Sequence, residues 1–127
     1  MQEKKPAKAL ISVVDDDESV RESLPDLLRE LGFSAIAFAS AKECLSSARL
    51  GETACLILDI AMPEMSGPEL KRELENRGYS IPTIFITARP DAAARPEVQA
   101  AAACLVKPFS DAALQNALEE ALNQKRG

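Results

Sequence analysis

"LILDIAMPEMSG", residues 56–67, begins as a run of apolar side chains and stops on a single carboxylate, Asp59. Within four residues it reaches Met62-Pro63, and then a Ser-Gly turn. A short continuous apolar run bounded by turn residues reads as a strand buried on both faces, the kind found in parallel sheets. Asp59 at its mouth is either a polar cap or the group the strand presents. The rest of the chain decides between these.

The same design recurs on either side. "LISVV" (10–14) is a second continuous apolar strand and runs into Asp15-Asp16-Asp17. "IPTIFITA" (81–88) reads as a strand that starts at Pro82, where proline is tolerated, and has Thr87 near its end. "CLV" (104–106) precedes Lys107-Pro108. "FSAIAFAS" (33–40) alternates, as a half-buried strand does. Helical stripes fill the gaps. Val20, Leu24, Leu27, Leu28 and Leu31 make one, closed by Gly32 and expected to bend at Pro25. Ser40 caps a helix expected over 41–49 and ended by Gly51. Pro68 opens a helix carrying Leu70 and Leu74 and ending at Gly78. "ARPDAAARP" reads as a loop or frayed helix, with a short helix from about Pro96. Ser110 or Asp111 caps a last helix, with Leu114, Ala117, Leu118, Ala121 and Leu122 on one face. Strict alternation of five strands and five helices predicts an α/β, flavodoxin-like, doubly wound parallel sheet of order 2-1-3-4-5.

The chain has 127 residues, the size of one domain, so one core is expected over 1–127, with short basic tails outside about 8–123. Aromatics are only 4% of residues, which leaves the core to Ala, Leu, Ile and Val. A net charge of −5, with basic clusters only at Lys4-Lys5-Lys8 and Lys125-Arg126, argues against direct nucleic-acid binding. No apolar run reaches membrane-spanning length, and "MQEKKPAKALISVVDDD" has too short an apolar stretch for a signal peptide, so the chain reads as cytoplasmic. Three cysteines without CxxC spacing read as reduced core thiols, and the absence of histidine removes His-assisted nucleophiles and His-ligated metals.

In the order 2-1-3-4-5 the first and third strands are neighbours, roughly 5 Å apart. That brings Asp15, Asp16 and Asp59 together, with Thr87 and Lys107 beyond them on the next two strands. Clustered carboxylates raise one another's pKa unless a cation intervenes, and oxygen ligands alone suit a hard ion, Mg²⁺ or Mn²⁺. A carboxylate nucleophile, a divalent ion, a hydroxyl donor and a lysine are the parts phosphoryl transfer onto Asp requires.

"VVDDDESVRESL", "LILDIAMPEMSGPEL", "PTIFITA" and "VKPF" closely resemble the receiver domains of bacterial two-component response regulators, most strongly those of FixJ-like transcription factors. The resemblance implies that Asp59 accepts a phosphoryl group from a sensor histidine kinase or phosphotransfer protein. It implies that Asp15, Asp16, Asp59 and the backbone carbonyl of Ala61 hold Mg²⁺, and that Thr87 and Lys107 bind the phosphoryl oxygens. It also implies a cis Lys107-Pro108 bond, an Asp17 that caps the first helix, and a downstream output protein or effector domain. Such a domain catalyses its own phosphorylation and dephosphorylation and is not otherwise an enzyme, with Ala61 and Arg89 tuning dephosphorylation. The chain departs from the pattern where an aromatic residue usually precedes the lysine by three: here stands Cys104, which reads as a small buried apolar residue. Thr87 and Lys107 are also close in sequence, and "AAAAC" lacks the common Gly-Ala. The switch region is therefore Ala88, Arg89 and Cys104. Two other readings compete: a pseudo-receiver that binds partners without phosphorylation, and a haloacid-dehalogenase-type phosphatase with "DDDES" placing Asp15 as nucleophile.

Overall fold

A computed structural model describes residues 8–126, with side chains to residue 123. Lys4, Lys5 and the side chains of Lys125 and Arg126 lie outside the described residues. Five parallel strands form one sheet in the order β2-β1-β3-β4-β5: β1 (Leu10–Val14), β2 (Ser34–Phe38), β3 (Thr53–Asp59), β4 (Thr83–Thr87) and β5 (Ala103–Val106). The predicted order is the observed one. β1, β3 and β4 lie inside the sheet and are buried almost throughout, as continuous apolar runs require. The outer strands β2 and β5 are mostly half-buried.

Five helices complete the alternation: α1 (Glu18–Glu30), α2 (Ala41–Leu45), α3 (Gly67–Asn76), α4 (Pro96–Gln99) and α5 (Asp111–Arg126). The strand pleat sends alternate side chains to opposite faces. Ile11, Val13, Ile57, Ile84 and Ile86 meet Leu24, Leu28, Leu114 and Leu118 from α1 and α5. Val14, Leu56, Leu58 and Phe85 meet Cys44, Leu70, Leu74 and Val98 from α2, α3 and α4. The core is aliphatic, with Phe85 as its one large aromatic among the described residues.

One element differs from expectation. α2 ends at Leu45, not near Arg49. Ser46 and Ser47 follow, and the Ser47 hydroxyl accepts from the Arg49 amide, a local bond that competes with helix. Leu50 then turns into the core through a 3-10 segment, Leu50–Glu52. The "ARPDAAARP" stretch holds a second 3-10 segment, Pro90–Ala94. α1 continues through Pro25, which is buried.

Candidate functional site

Parallel register levels the strand ends. Val14 pairs with Leu58, so Asp15 emerges beside Asp59, and Thr87 pairs with Val106, just before Lys107. Asp15, Asp16 and Asp59 bring one oxygen each to within 4.8 Å of one another. Asp15 is fully buried, Asp59 nearly so, and Asp16 is exposed. The Lys107 Nζ lies 2.8 Å from Asp15 Oδ2 and 3.8 Å from Asp59 Oδ1. Asp15, Asp16, Asp59 and Lys107 therefore come together at the strand ends, and the Lys107-Pro108 bond is cis.

The electrostatics are those of an overcrowded acid cluster. Burial first, then the charge of Asp15 and the proximity of Asp16, push the Asp59 carboxyl up to about 7 against the opposing pull of Lys107. For Lys107, burial favours the neutral amine, but the hydrogen bond to Asp15 and the charges of Asp15, Asp59 and Asp17 outweigh it and raise its pKa. One ammonium among three carboxylates leaves negative charge uncompensated. An all-oxygen donor set at this spacing fits a hard divalent cation.

Asp17 is not one of the three clustered acids. Its Oδ1 accepts from the Ser19 amide at 2.9 Å and the Ser19 hydroxyl at 2.8 Å, so it is the N-cap of α1. These bonds hold its carboxyl below the usual range. The middle acid of the phosphatase-like "DDDES" reading is thus committed to capping. Thr87 is turned back on its own chain: its Oγ1 accepts from the Arg89 amide at 3.0 Å and faces the Arg89 carbonyl at 3.3 Å. Ala88, Arg89 and Ala61 are exposed around the rim. Cys104 is half-buried, not buried, because β5 is an edge strand. Burial raises its thiol and pushes that of Cys44 up to about 11, so neither is a thiolate near neutral pH.

Gly67 belongs to the site's construction and carries no obvious signal in sequence, nor does the bond that the Arg21 Nη1 donates to the Asp15 carbonyl at 3.0 Å. A Cβ on Gly67 would stand 2.5 Å from the Asp59 carbonyl oxygen and 3.1 Å from its carbon. The Gly67 amide donates to the Ile60 carbonyl at 3.0 Å, docking the start of α3 against the strand end. Ser66 and Glu69 close that helix with a capping box. Between them and Asp59, Glu64 takes a positive φ of 69°, and the Met65 amide reaches the Pro63 carbonyl at 2.7 Å, a tight three-residue turn.

Comparison with known proteins agrees with this geometry. Residues 11–119 match the family model described as the response regulator receiver domain, and the chain belongs to that family. Nodulation protein W of Bradyrhizobium diazoefficiens is 40% identical over 121 residues, covering 94% of this chain and 53% of that protein. The transcriptional regulatory protein FixJ of Azorhizobium caulinodans is 36% identical, over 94% of this chain and 57% of its own length. The chain thus spans about half the length of these curated relatives. The response regulator TrrA of Thermotoga maritima, solved in complex with Mg²⁺-BeF, superposes with a TM-score of 0.80 at 30% identity, covering 90% of this chain and 99% of that one. The chain is a two-component receiver, and neither the phosphatase nor the pseudo-receiver reading gains support. Among the described residues no helix is long and apolar enough to cross a membrane.

Proposed function

We propose that Asp59 is the phosphoacceptor, that Asp15, Asp16, Asp59 and the Ala61 carbonyl hold Mg²⁺ or Mn²⁺, and that Thr87 and Lys107 bind the phosphoryl oxygens. The observation that carries the reading is the meeting of three carboxylates within 4.8 Å, with the Lys107 ammonium 3.8 Å from Asp59. A P–O bond forms at the Asp59 carboxylate as the bond to the donor's imidazole nitrogen breaks. Bound Mg²⁺ supplies the positive charge that keeps Asp59 ionised and offsets the incoming oxygens. Lys107 is anchored to Asp15 and stands farther from Asp59, which leaves its ammonium free to follow the phosphoryl group. The Thr87 hydroxyl has one proton, weakly placed on Arg89, and transfers that hydrogen bond to a phosphoryl oxygen.

The donor is a sensor histidine kinase or a phosphotransfer protein. The recipient is a downstream output protein or an effector domain, with no nucleic acid bound by this domain and a cytoplasmic setting. Residues 8–123 act as one receiver unit that catalyses transfer onto and off its own Asp59, not as an enzyme with a separate substrate. With Cys104 where a ring would otherwise couple the site to the surface, the switch runs through the backbone from Ala88 and Arg89 onward. Incubation with acetyl phosphate and Mg²⁺ should add one phosphoryl mass to the chain, and neither Asp59→Asn nor EDTA-treated protein should gain it. Equal labelling of Asp59→Asn contradicts the assignment, and undiminished labelling in EDTA contradicts the metal requirement.

A further inference from the structure

Asp15 is held at every polar atom. Its amide donates to the Phe38 carbonyl at 3.1 Å, its Oδ1 accepts from the Asp17 amide at 2.9 Å, and its Oδ2 accepts from Lys107 at 2.8 Å. Its backbone carbonyl accepts from the Arg21 Nη1 at 3.0 Å. That carbonyl belongs to the peptide joining Asp15 to Asp16, and a peptide is a rigid plane. Fixing its oxygen fixes the direction in which the next residue leaves. Asp16 is the exposed member of the acid trio, and repulsion from Asp15 and Asp59 favours swinging it out into water. Arg21 opposes that rotation from half-buried ground, one turn into α1.

We infer that Arg21 is a positioning residue for divalent-ion binding, acting by pinning the Asp15–Asp16 peptide so that Asp16 faces Asp59. Its guanidinium is spent on a backbone oxygen, whereas Lys107 is the cation that pairs with the carboxylates. The same helix contains an internal control. Arg29 places its Nη2 3.0 Å from the Ala35 carbonyl, also a guanidinium on a backbone oxygen, but at the other end of α1 and facing β2.

The inference rests on the ion site proposed above, and the experiment separates the two. Mg²⁺ alone is titrated calorimetrically into the unsubstituted chain, Arg21→Met, Arg21→Lys and Arg29→Met, and metal-free thermal midpoints are recorded for each. Groups that orient metal ligands from outside typically govern affinity by tenfold or more. Arg21→Met keeps the aliphatic stem and loses the donor, so its Mg²⁺ affinity should fall about tenfold. Arg21→Lys keeps a donor and should recover most of it, and Arg29→Met should bind as the unsubstituted chain does even where its midpoint falls. If Arg21→Met does not fold, Arg21→Gln takes its place, with the same loss expected from an amide too short to reach. Unchanged affinity in Arg21→Met or its replacement overturns the inference, as does an equal loss in Arg29→Met. If the unsubstituted chain itself takes up no Mg²⁺, the ion site has failed and not the role of Arg21 within it.

Discussion

On the β1–β3 side of the sheet's carboxyl edge, the turns are closed by side chains: Asp17 caps α1, Ser66 and Glu69 box in α3, and Asp15 is bound at all its polar atoms. On the β4–β5 side, the 3-10 segment Pro90–Ala94 and α4 both begin without a side-chain cap, α4 has four residues, and β5 is half-buried at all four of its positions. The two sides meet at Thr87, whose hydroxyl touches the Arg89 backbone. Chemistry needs preorganisation and signalling needs an element of low local stability, and on the proposed reading the acids draw on the first side and the switch on the second.

The largest expected effect tests how far the acid side is electrostatically strained. Asp59 titrates at about 7 in the folded, metal-free protein, above its value in an unfolded chain. The folded state therefore keeps a proton that the unfolded chain releases, and stability falls as pH rises from about 4 to about 7. Asp59→Asn should add about 2–4 kcal/mol at pH 8 in EDTA and nothing near pH 4, read from urea unfolding. No gain at pH 8 would remove the strain. Gly67→Ala comes next. Its Cβ would meet backbone that cannot swing away, so a loss of about 1–3 kcal/mol and slower phosphorylation are expected. Gly51→Ala, with nothing within 4 Å, should stay within about 0.5 kcal/mol and serves as the comparison. Ser66→Ala should cost about 1 kcal/mol through loss of the capping box, an effect that has no counterpart in α4.

The smallest effect in energy bears on the other side. Binding beryllofluoride with Mg²⁺ should change amide exchange across 88–100 and leave 15–17 and 66–70 little altered. The same response should persist in Cys104→Ala. If it vanished there while beryllofluoride still bound, the half-buried thiol would be the coupling element and the backbone route would be wrong.

Much of this was legible in the sequence, and the reasons are physical. Continuous apolar runs separated by helical stripes dictate a parallel sheet, and the sheet order then carries Asp15, Asp59, Thr87 and Lys107 to one edge. What escaped was contact that leaves no trace in periodicity. Gly67 looks like any glycine before a helix, and only the 2.5 Å clearance to Asp59 reveals why a side chain is barred. Arg21 reads as a charge on the polar side of an amphipathic helix until its reach to the Asp15 carbonyl is seen. The early end of α2 goes with local hydroxyl bonding at Ser47, which competes with helix too subtly for pattern to predict.

The central claim is that one carboxylate of the acid cluster, and only that one, takes the phosphoryl group. Phosphorylating the chain with acetyl phosphate and Mg²⁺, reducing the acyl phosphate with borohydride and sequencing the peptides by mass spectrometry reads this directly, because reduction converts the modified Asp to homoserine. Homoserine at position 59 alone is the predicted result. Homoserine at Asp15, Asp16 or Asp17 with Asp59 intact would contradict the account.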